Sequence, residues 1–111
     1  MSSLIRIHHM QLKWFVLPFV ADGRKDLEVR TADEKRSKIK VGEVIIFANT
    51  YARRVKSIRR YTSFQEMLAV EDPDRIMPTW MPERILSGLR QIYSPEKEQL
   101  GIIVFELEAV T

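Results

Sequence analysis

The segment GRKDLEVR, residues 23–30, joins the end of a predicted helix to the start of a predicted strand. Gly23 can adopt the left-handed backbone conformation that commonly ends a helix. After it, apolar residues alternate with charged residues, which is typical of a strand with one buried face. Because side chains repeat every two residues along a strand, Glu28 and Arg30 share its other face. The segment therefore predicts a strand that turns a carboxylate and a guanidinium to the same side.

Patterns on both sides of this segment predict an α+β fold with the order β, α, β, β, β, α, α, β. The predicted strands lie at residues 5–8, 26–30, 44–47, 53–61 and 102–108. The first helix begins near Phe15, so that Pro18 falls in its first turn. A capping box at residues 63–66 opens the second helix, and Pro82 opens the third. Short strands with helices between them favour a small β-barrel with helices packed on its outside. Residues 72–78 are predicted to form a loop.

Composition bounds the possible functions. The chain has 111 residues, which predicts one domain over residues 1–111, and no cysteine, which excludes disulfides, thiolate zinc sites and a cysteine nucleophile. Its four glycines are isolated, so no dinucleotide-binding or phosphate-binding loop can be written, and we expect no cofactor. The longest run without a charged side chain is residues 44–52, far short of the roughly 20 residues of a membrane span. With no signal peptide evident, we expect a cytoplasmic protein that does not associate with membranes.

Charge is concentrated in one third of the chain. The net charge is +3, but residues 24–60 carry twelve basic and five acidic residues, a net +7, and the remainder is net −4. A localised basic block can attract phosphate backbones, which favours RNA or a nucleotide as the partner. A solvated charged face around a barrel is the alternative.

The predicted strand at residues 53–61 holds much of this charge. Its basic residues are Arg53, Arg54, Lys56, Arg59 and Arg60. Strict alternation places Arg54, Lys56 and Arg60 on one face, which is the candidate surface for RNA phosphates. Three aromatic residues are candidates for stacking on bases, with core packing as the alternative: Tyr51, Tyr61 and Trp80.

The two histidines, His8 and His9, are adjacent in a predicted strand. Neighbouring strand residues point to opposite faces, so these side chains would not bind one ion together. The sequence has no further histidine and no cysteine, so we expect no metal site.

Four blocks of sequence together resemble the ASCH domain, a branch of the PUA-like barrels. They are GRKDLEVR at 23–30, which fits GxKxxExR; KVGEVIIF at 40–47; YTSFQEML at 61–68 followed by Glu71; and IYSPEKE at 92–98 followed by GII at 101–103. The resemblance extends from about Ile7 to Ala109. It implies a β-barrel with a cleft that the GxKxxExR residues line, and a protein that binds RNA or its nucleotides.

The resemblance also implies candidate site residues. The motif places Lys25, Glu28 and Arg30 in the cleft, where they would bind the ligand. Glu28 and Arg30 would read a base edge or form a structural ion pair inside the barrel. One bacterial branch of the family hydrolyses N4-acetylcytidine with a lysine, a threonine and a glutamate. The lysine and glutamate fall on Lys25 and Glu71, but the threonine position holds Glu28, which cannot act as a hydroxyl does.

Two functions follow as hypotheses. The first is an RNA- or nucleotide-binding module whose cleft uses Lys25, Glu28 and Arg30 and whose basic strand holds phosphates through Arg54, Lys56, Arg60 and Tyr61. The alternative is a small hydrolase that acts on a modified nucleoside or on RNA, with Lys25 and Glu71 as its catalytic residues. A scaffold with an empty cleft is a third possibility.

Overall fold

A five-stranded sheet, curled into a half-barrel with six helices packed around it, carries the fold in the computed structural model, which describes residues 4–111. The strands are β1 (Ile7–Met10), β2 (Leu27–Thr31), β3 (Val44–Phe47), β4 (Tyr51–Tyr61) and β5 (Ile102–Ala109). The helices are α1 (Leu17–Ala21), α2 (Glu34–Ser37), α3 (Phe64–Val70), α4 (Pro73–Ile76), α5 (Pro82–Ile92) and α6 (Pro95–Glu98), and a 3-10 turn at Trp14–Val16 precedes α1. The predicted α+β fold is confirmed.

The order of strands in the sheet is β1-β3-β4-β5-β2. The β1–β3 pair is parallel, and the other neighbours are antiparallel. The first two strands of the chain therefore form the two edges of the sheet. In the described part of the chain, no helix has the length and apolarity needed to cross a membrane.

Two apolar layers cover the two faces of this sheet. The inner layer comprises Met10, Val20, Ile39, Ile45, Phe47, Val55, Ile103, Phe105 and Leu107. The outer layer, under α3, α4 and α5, comprises Leu27, Val29, Phe64, Met67, Ile76, Met77, Ile85, Ile102 and Val104. β5 supplies both layers by simple alternation. Because the apolar residues of β2 belong to the outer layer, Glu28 and Arg30 face the inner side.

Local signals in the sequence account for several element ends. The Ser63 hydroxyl accepts a hydrogen bond of 3.0 Å from the backbone N–H of Glu66, which caps α3 as predicted. Gly23 has a φ of +84°, the left-handed conformation expected after α1. The predicted loop at residues 72–78 contains α4, because Asp72 caps a helical turn and Pro73 occupies its first position.

A β-bulge changes the arrangement predicted for β4. The register with β5 shifts between Val55 and Ser57. Arg54 lies opposite Glu108 and Arg60 lies opposite Ile103, and these two partners are five residues apart, so they face opposite sides of β5. The prediction that Arg54, Lys56 and Arg60 share one face was therefore wrong. The extra residue of a bulge reverses the alternation beyond it.

Candidate functional site

Lys25, Glu28 and Arg30 form a buried ion cluster at β2, which we call the cleft cluster. The Glu28 carboxylate joins the other two side chains. Its Oε1 lies 2.9 Å from Lys25 Nζ, and its Oε2 lies 2.8 Å from both Nε and Nη2 of Arg30. The structure thus brings together three residues that the sequence motif singled out.

Every donor of the Lys25 ammonium is engaged. Besides Glu28, it donates to the carbonyl oxygens of Leu27 at 2.8 Å and Ile76 at 2.9 Å. An ammonium has three N–H donors, so this geometry satisfies all of them. Lys25 therefore ties α4 to the start of β2, with its side chain only 8% exposed.

Arg30 connects the two edges of the sheet. Its Nη2 donates to the carbonyl oxygen of Gln11, just beyond β1, at 2.8 Å. Within residues 4–111, Nη1 makes no hydrogen bond, and no buried side-chain nitrogen or oxygen lacks a partner. Nη1 is therefore accessible to solvent, although the side chain is only 12% exposed. Arg30 presents a fixed guanidinium with two N–H donors still open.

Glu28 is a carboxylate in this environment. Burial acts to raise its pKa, but the charges of Lys25 and Arg30 outweigh burial, and the pKa lies below its ordinary value. The cleft cluster thus contains one anion and two cations. It carries a net charge of +1.

A cavity of about 330 Å³ borders Lys25 of the cluster, between the end of α1, the residues before β2 and the strands β4 and β5. Its lining includes Lys25 and Arg53, together with Asp22, Asp26 and Glu108. The Arg53 guanidinium donates only to carbonyl oxygens, one of them that of Val20 at 2.8 Å, so no carboxylate neutralises it.

A second set of charged side chains lies on the outer face of β4 and β5, and we call it the outer network. Its members are Asp26, Arg59, Tyr61, Glu71, Arg75 and Glu106. Arg59 binds Glu71 through Nε at 2.6 Å and Nη2 at 2.8 Å, and its Nη1 binds Glu106 at 2.7 Å. Arg75 continues the network from Glu106 to Asp26, at 3.2 and 2.7 Å.

Glu71 belongs to the outer network and is separate from the cleft cluster. It is buried at the end of α3, it accepts from Arg59, and the Tyr61 hydroxyl donates to it. Its hydrogen bonds to Arg59 hold its pKa below the ordinary value. No hydrogen bond or ion pair in the described part of the chain joins Glu71 to Lys25. The two residues proposed for hydrolysis are therefore engaged with different partners.

The residues predicted to hold phosphates have different surroundings. Arg54 donates to the Gly42 carbonyl oxygen at 2.8 Å, and Lys56 lies 3.9 Å from Glu106. Tyr61 has its hydroxyl committed to Glu71. Arg60 is exposed and has no hydrogen bond or ion pair with any other described residue. Of the four, Arg60 is the most available for a phosphate.

Sequence reasoning named Trp80 as a stacking candidate but missed the aromatic patch that it forms with Trp14, Phe15 and Arg84. Trp80 stacks on Phe15, with ring centroids 6.2 Å apart and planes 15° apart, and the Arg84 guanidinium lies 3.8 Å from the Trp80 ring centre. Trp14 meets the Phe15 ring edge-on and is 81% exposed. The signal in the sequence that could have indicated this patch is a tryptophan next to Lys13. Whether Trp14 is exposed depends on the position of the 3-10 turn, which the sequence does not specify.

The remaining sequence candidates have structural partners. His8 Nε2 lies 2.8 Å from Glu43 Oε1. Residues 4–111 contain no group of three or more side chains arranged to hold a metal ion. Tyr51 packs against the inner layer.

Comparison with known proteins gives a family and two structural relatives. The family model described as the ASCH domain matches residues 9–111. The crystal structure of hypothetical protein PH0355 is 34% identical and superposes with a TM-score of 0.88, covering 95% of this chain and 100% of that one. The solution structure of protein PF0455 from Pyrococcus furiosus is 36% identical with a TM-score of 0.78, covering 93% and 96% of the two chains. No curated protein matches the sequence.

Proposed function

The chain belongs to the ASCH domain family, and we propose that it binds RNA or a nucleotide at the cleft cluster. The observation that carries the proposal is the open Nη1 of Arg30, on a guanidinium that Glu28 and Gln11 hold in place. A planar guanidinium with two free N–H donors suits phosphate oxygens and the acceptor edge of a base. Because the group is already fixed, little conformational entropy is lost when a ligand binds.

Lys25 and Glu28 position Arg30 in this proposal. Glu28 binds Nε and Nη2 and so orients Nη1 away from itself, while Lys25 contributes the second positive charge that leaves the cluster at +1. An anion is attracted to this surplus charge, and an isolated Glu28–Arg30 pair would lack it. The three motif residues thus act together, with Arg30 making the direct contact.

Two cations of β4 on the inner side of the sheet favour an anionic ligand. Arg53 donates to carbonyl oxygens only, and the side chain of Arg60 has no partner within residues 4–111, so neither guanidinium is paired directly with a carboxylate. Uncompensated cations of this kind steer phosphates toward a surface and make binding weaken as salt increases.

Binding is favoured over hydrolysis by the state of the residues that hydrolysis would need. Lys25 has no free donor, and Glu71 is ionised and held by Arg59 and Tyr61. A general acid or base must reach the substrate with a free oxygen, and both oxygens of Glu71 already accept hydrogen bonds from Arg59. The geometry therefore supports a ligand that is bound and not cleaved.

Arg30→Lys tests this function, because lysine keeps the charge and removes the forked donor. We expect the variant to bind a labelled single-stranded RNA about tenfold more weakly in fluorescence anisotropy, which corresponds to about 1.4 kcal/mol. The matched control is Arg36→Lys, at a surface arginine paired with Asp33 at 3.1 Å, which should bind as the unaltered protein does. Equal binding by both variants, or no binding of RNA or mononucleotides by the unaltered protein at low salt, would overturn the proposal.

A further inference from the structure

The aromatic patch contains Trp14, the one exposed aromatic side chain in the described part of the chain. Trp14 is 81% exposed, and Met81, next to Trp80, is 67% exposed. Exposed tryptophans are unusual in a folded domain because the indole buries a large apolar area when it is inside. Trp14 has no such burial, so its indole is available to an external partner.

The patch is preorganised beneath Trp14. Trp80 contacts both the Phe15 ring and the Arg84 guanidinium, and the Phe15 and Trp14 rings are perpendicular with centroids 5.8 Å apart. Gly88 on α5 lies against the Trp80 ring, where a Cβ would be at an ordinary contact distance of 3.6 Å. The rings beneath Trp14 are therefore packed together, and most of the Trp14 side chain remains open.

Two exposed cations lie beside the patch, which follows Gln11 closely along the chain. Lys13 precedes Trp14, and the Arg84 guanidinium lies over the Trp80 ring, with the exposed Glu83 next to Arg84 in sequence. Gln11, whose carbonyl oxygen binds Arg30, precedes Trp14 by three residues. A strand of nucleic acid held by Arg30 can therefore continue across this surface.

We propose that Trp14 is a stacking platform for an unpaired base of single-stranded RNA whose backbone passes the cleft cluster. Aromatic side chains beside a basic surface bind single strands because every base offers a π-face, and stacking does not depend on sequence. The flanking cations complement phosphates, which favours RNA over an apolar peptide as the occupant. This inference rests on the proposed function and adds the surface that selects single strands.

Trp14→Ala tests the platform with an eight-nucleotide oligouridylate as the probe. We expect its dissociation constant to rise about 5- to 100-fold, the effect of removing one base–aromatic contact. The slope of log affinity against log salt should stay unchanged, because Trp14 contacts no phosphate. Val70→Ala, at an exposed residue on α3, is the matched control and should bind as the unaltered protein does.

Fluorescence gives a second measurement that does not depend on affinity. The chain has two tryptophans, so Trp80→Phe leaves Trp14 as the only one. We expect oligouridylate to quench the emission of this variant, and an abasic ribose-phosphate oligomer of equal length to leave it unchanged. Thermal unfolding of each variant identifies any loss of fold, and Trp14→Phe, which keeps a stacking ring, should bind within about threefold of the unaltered protein.

The possible outcomes separate this inference from the proposed function. Unchanged oligouridylate affinity in Trp14→Ala with no quenching in Trp80→Phe overturns the platform and leaves the cleft intact. Equal affinity for a duplex RNA of the same length also overturns it. Loss of binding to anionic phosphatidylglycerol vesicles, with RNA binding unaffected, would assign Trp14 to a membrane surface instead. Absence of RNA binding by the unaltered protein overturns both proposals.

Discussion

The cleft cluster and the outer network lie on opposite faces of the same sheet, and they leave their charges in different states. In the cleft cluster one carboxylate serves two cations, and one nitrogen of Arg30 remains open. In the outer network each of the two arginines binds two carboxylates, and Lys56 lies 3.9 Å from one of these, Glu106. An arginine that shares one carboxylate keeps donors for a ligand, whereas an arginine bound by two carboxylates fixes helices to the sheet. The number of carboxylates that each arginine binds separates a binding site from a structural one.

The largest effect should come from removing the one acid of the cleft cluster. Glu28→Ala leaves Lys25 and Arg30 with unpaired charges among buried groups, and we expect it to lower the free energy of unfolding by about 3–5 kcal/mol. Urea denaturation followed by circular dichroism measures this loss. Because the outer network has three carboxylates, no single substitution there should cost as much.

Glu108→Ala is the matched control for that experiment. Glu108 is also a strand glutamate, but it is exposed near the end of β5, and its loss should change stability by less than about 0.5 kcal/mol. If Glu28→Ala were no more destabilising than Glu108→Ala, the cleft cluster would not depend on its shared carboxylate.

Acid should reduce the stability that the outer network contributes, over a defined range of pH. Hydrogen bonds from Arg59, then from Arg75, lower the pKa of Glu106 from an ordinary 4.5 to about 2. A carboxyl with a lowered pKa stabilises the fold fully above its unfolded pKa, and this contribution disappears as the pH falls through the folded pKa. We therefore expect the melting temperature to fall between about pH 4.5 and pH 2.

The substitution Glu106→Gln tests whether the acid-induced fall in melting temperature comes from the outer network. The amide removes the charge, so the variant should be about 1–3 kcal/mol less stable at pH 7 and should lose less stability on acidification. A variant whose stability falls with pH as steeply as that of the unaltered protein would place the acid sensitivity in other carboxyls. Those whose pKa is lowered are Glu71, Glu28, Glu43 and Asp22.

The cleft cluster and the outer network also differ in how far they could be predicted from the sequence. Glu28 and Arg30 are two residues apart in the chain, so strand alternation alone predicts that they share a face. Arg59 binds Glu106 across 47 residues of sequence, and no local pattern indicates that contact. The fold was predictable because alternation in β2 and β5 and the caps at Ser63 and Gly23 are local signals.

The bulge of β4 could not be predicted from alternation. Nothing in the order of residues 53–61 shows where an extra residue interrupts the ladder, and one insertion reverses every side chain beyond it. The aromatic patch had the same difficulty, since Phe15 and Trp80 come together only when α5 packs on the sheet.

The smallest expected effect concerns two adjacent arginines of β4. Arg59 is paired with carboxylates, and in the described part of the chain Arg60 is not. Arg60→Gln removes an exposed charge with no partner in residues 4–111, so stability should hold while RNA affinity falls about two- to fivefold and the salt slope decreases by nearly one. Arg59→Gln should do the reverse, because its charge is already neutralised by Glu71 and Glu106. Salt titrations by fluorescence anisotropy and urea denaturation of both variants give the test. If both changed the salt slope equally, carboxylate pairing would not decide which cations of β4 meet RNA.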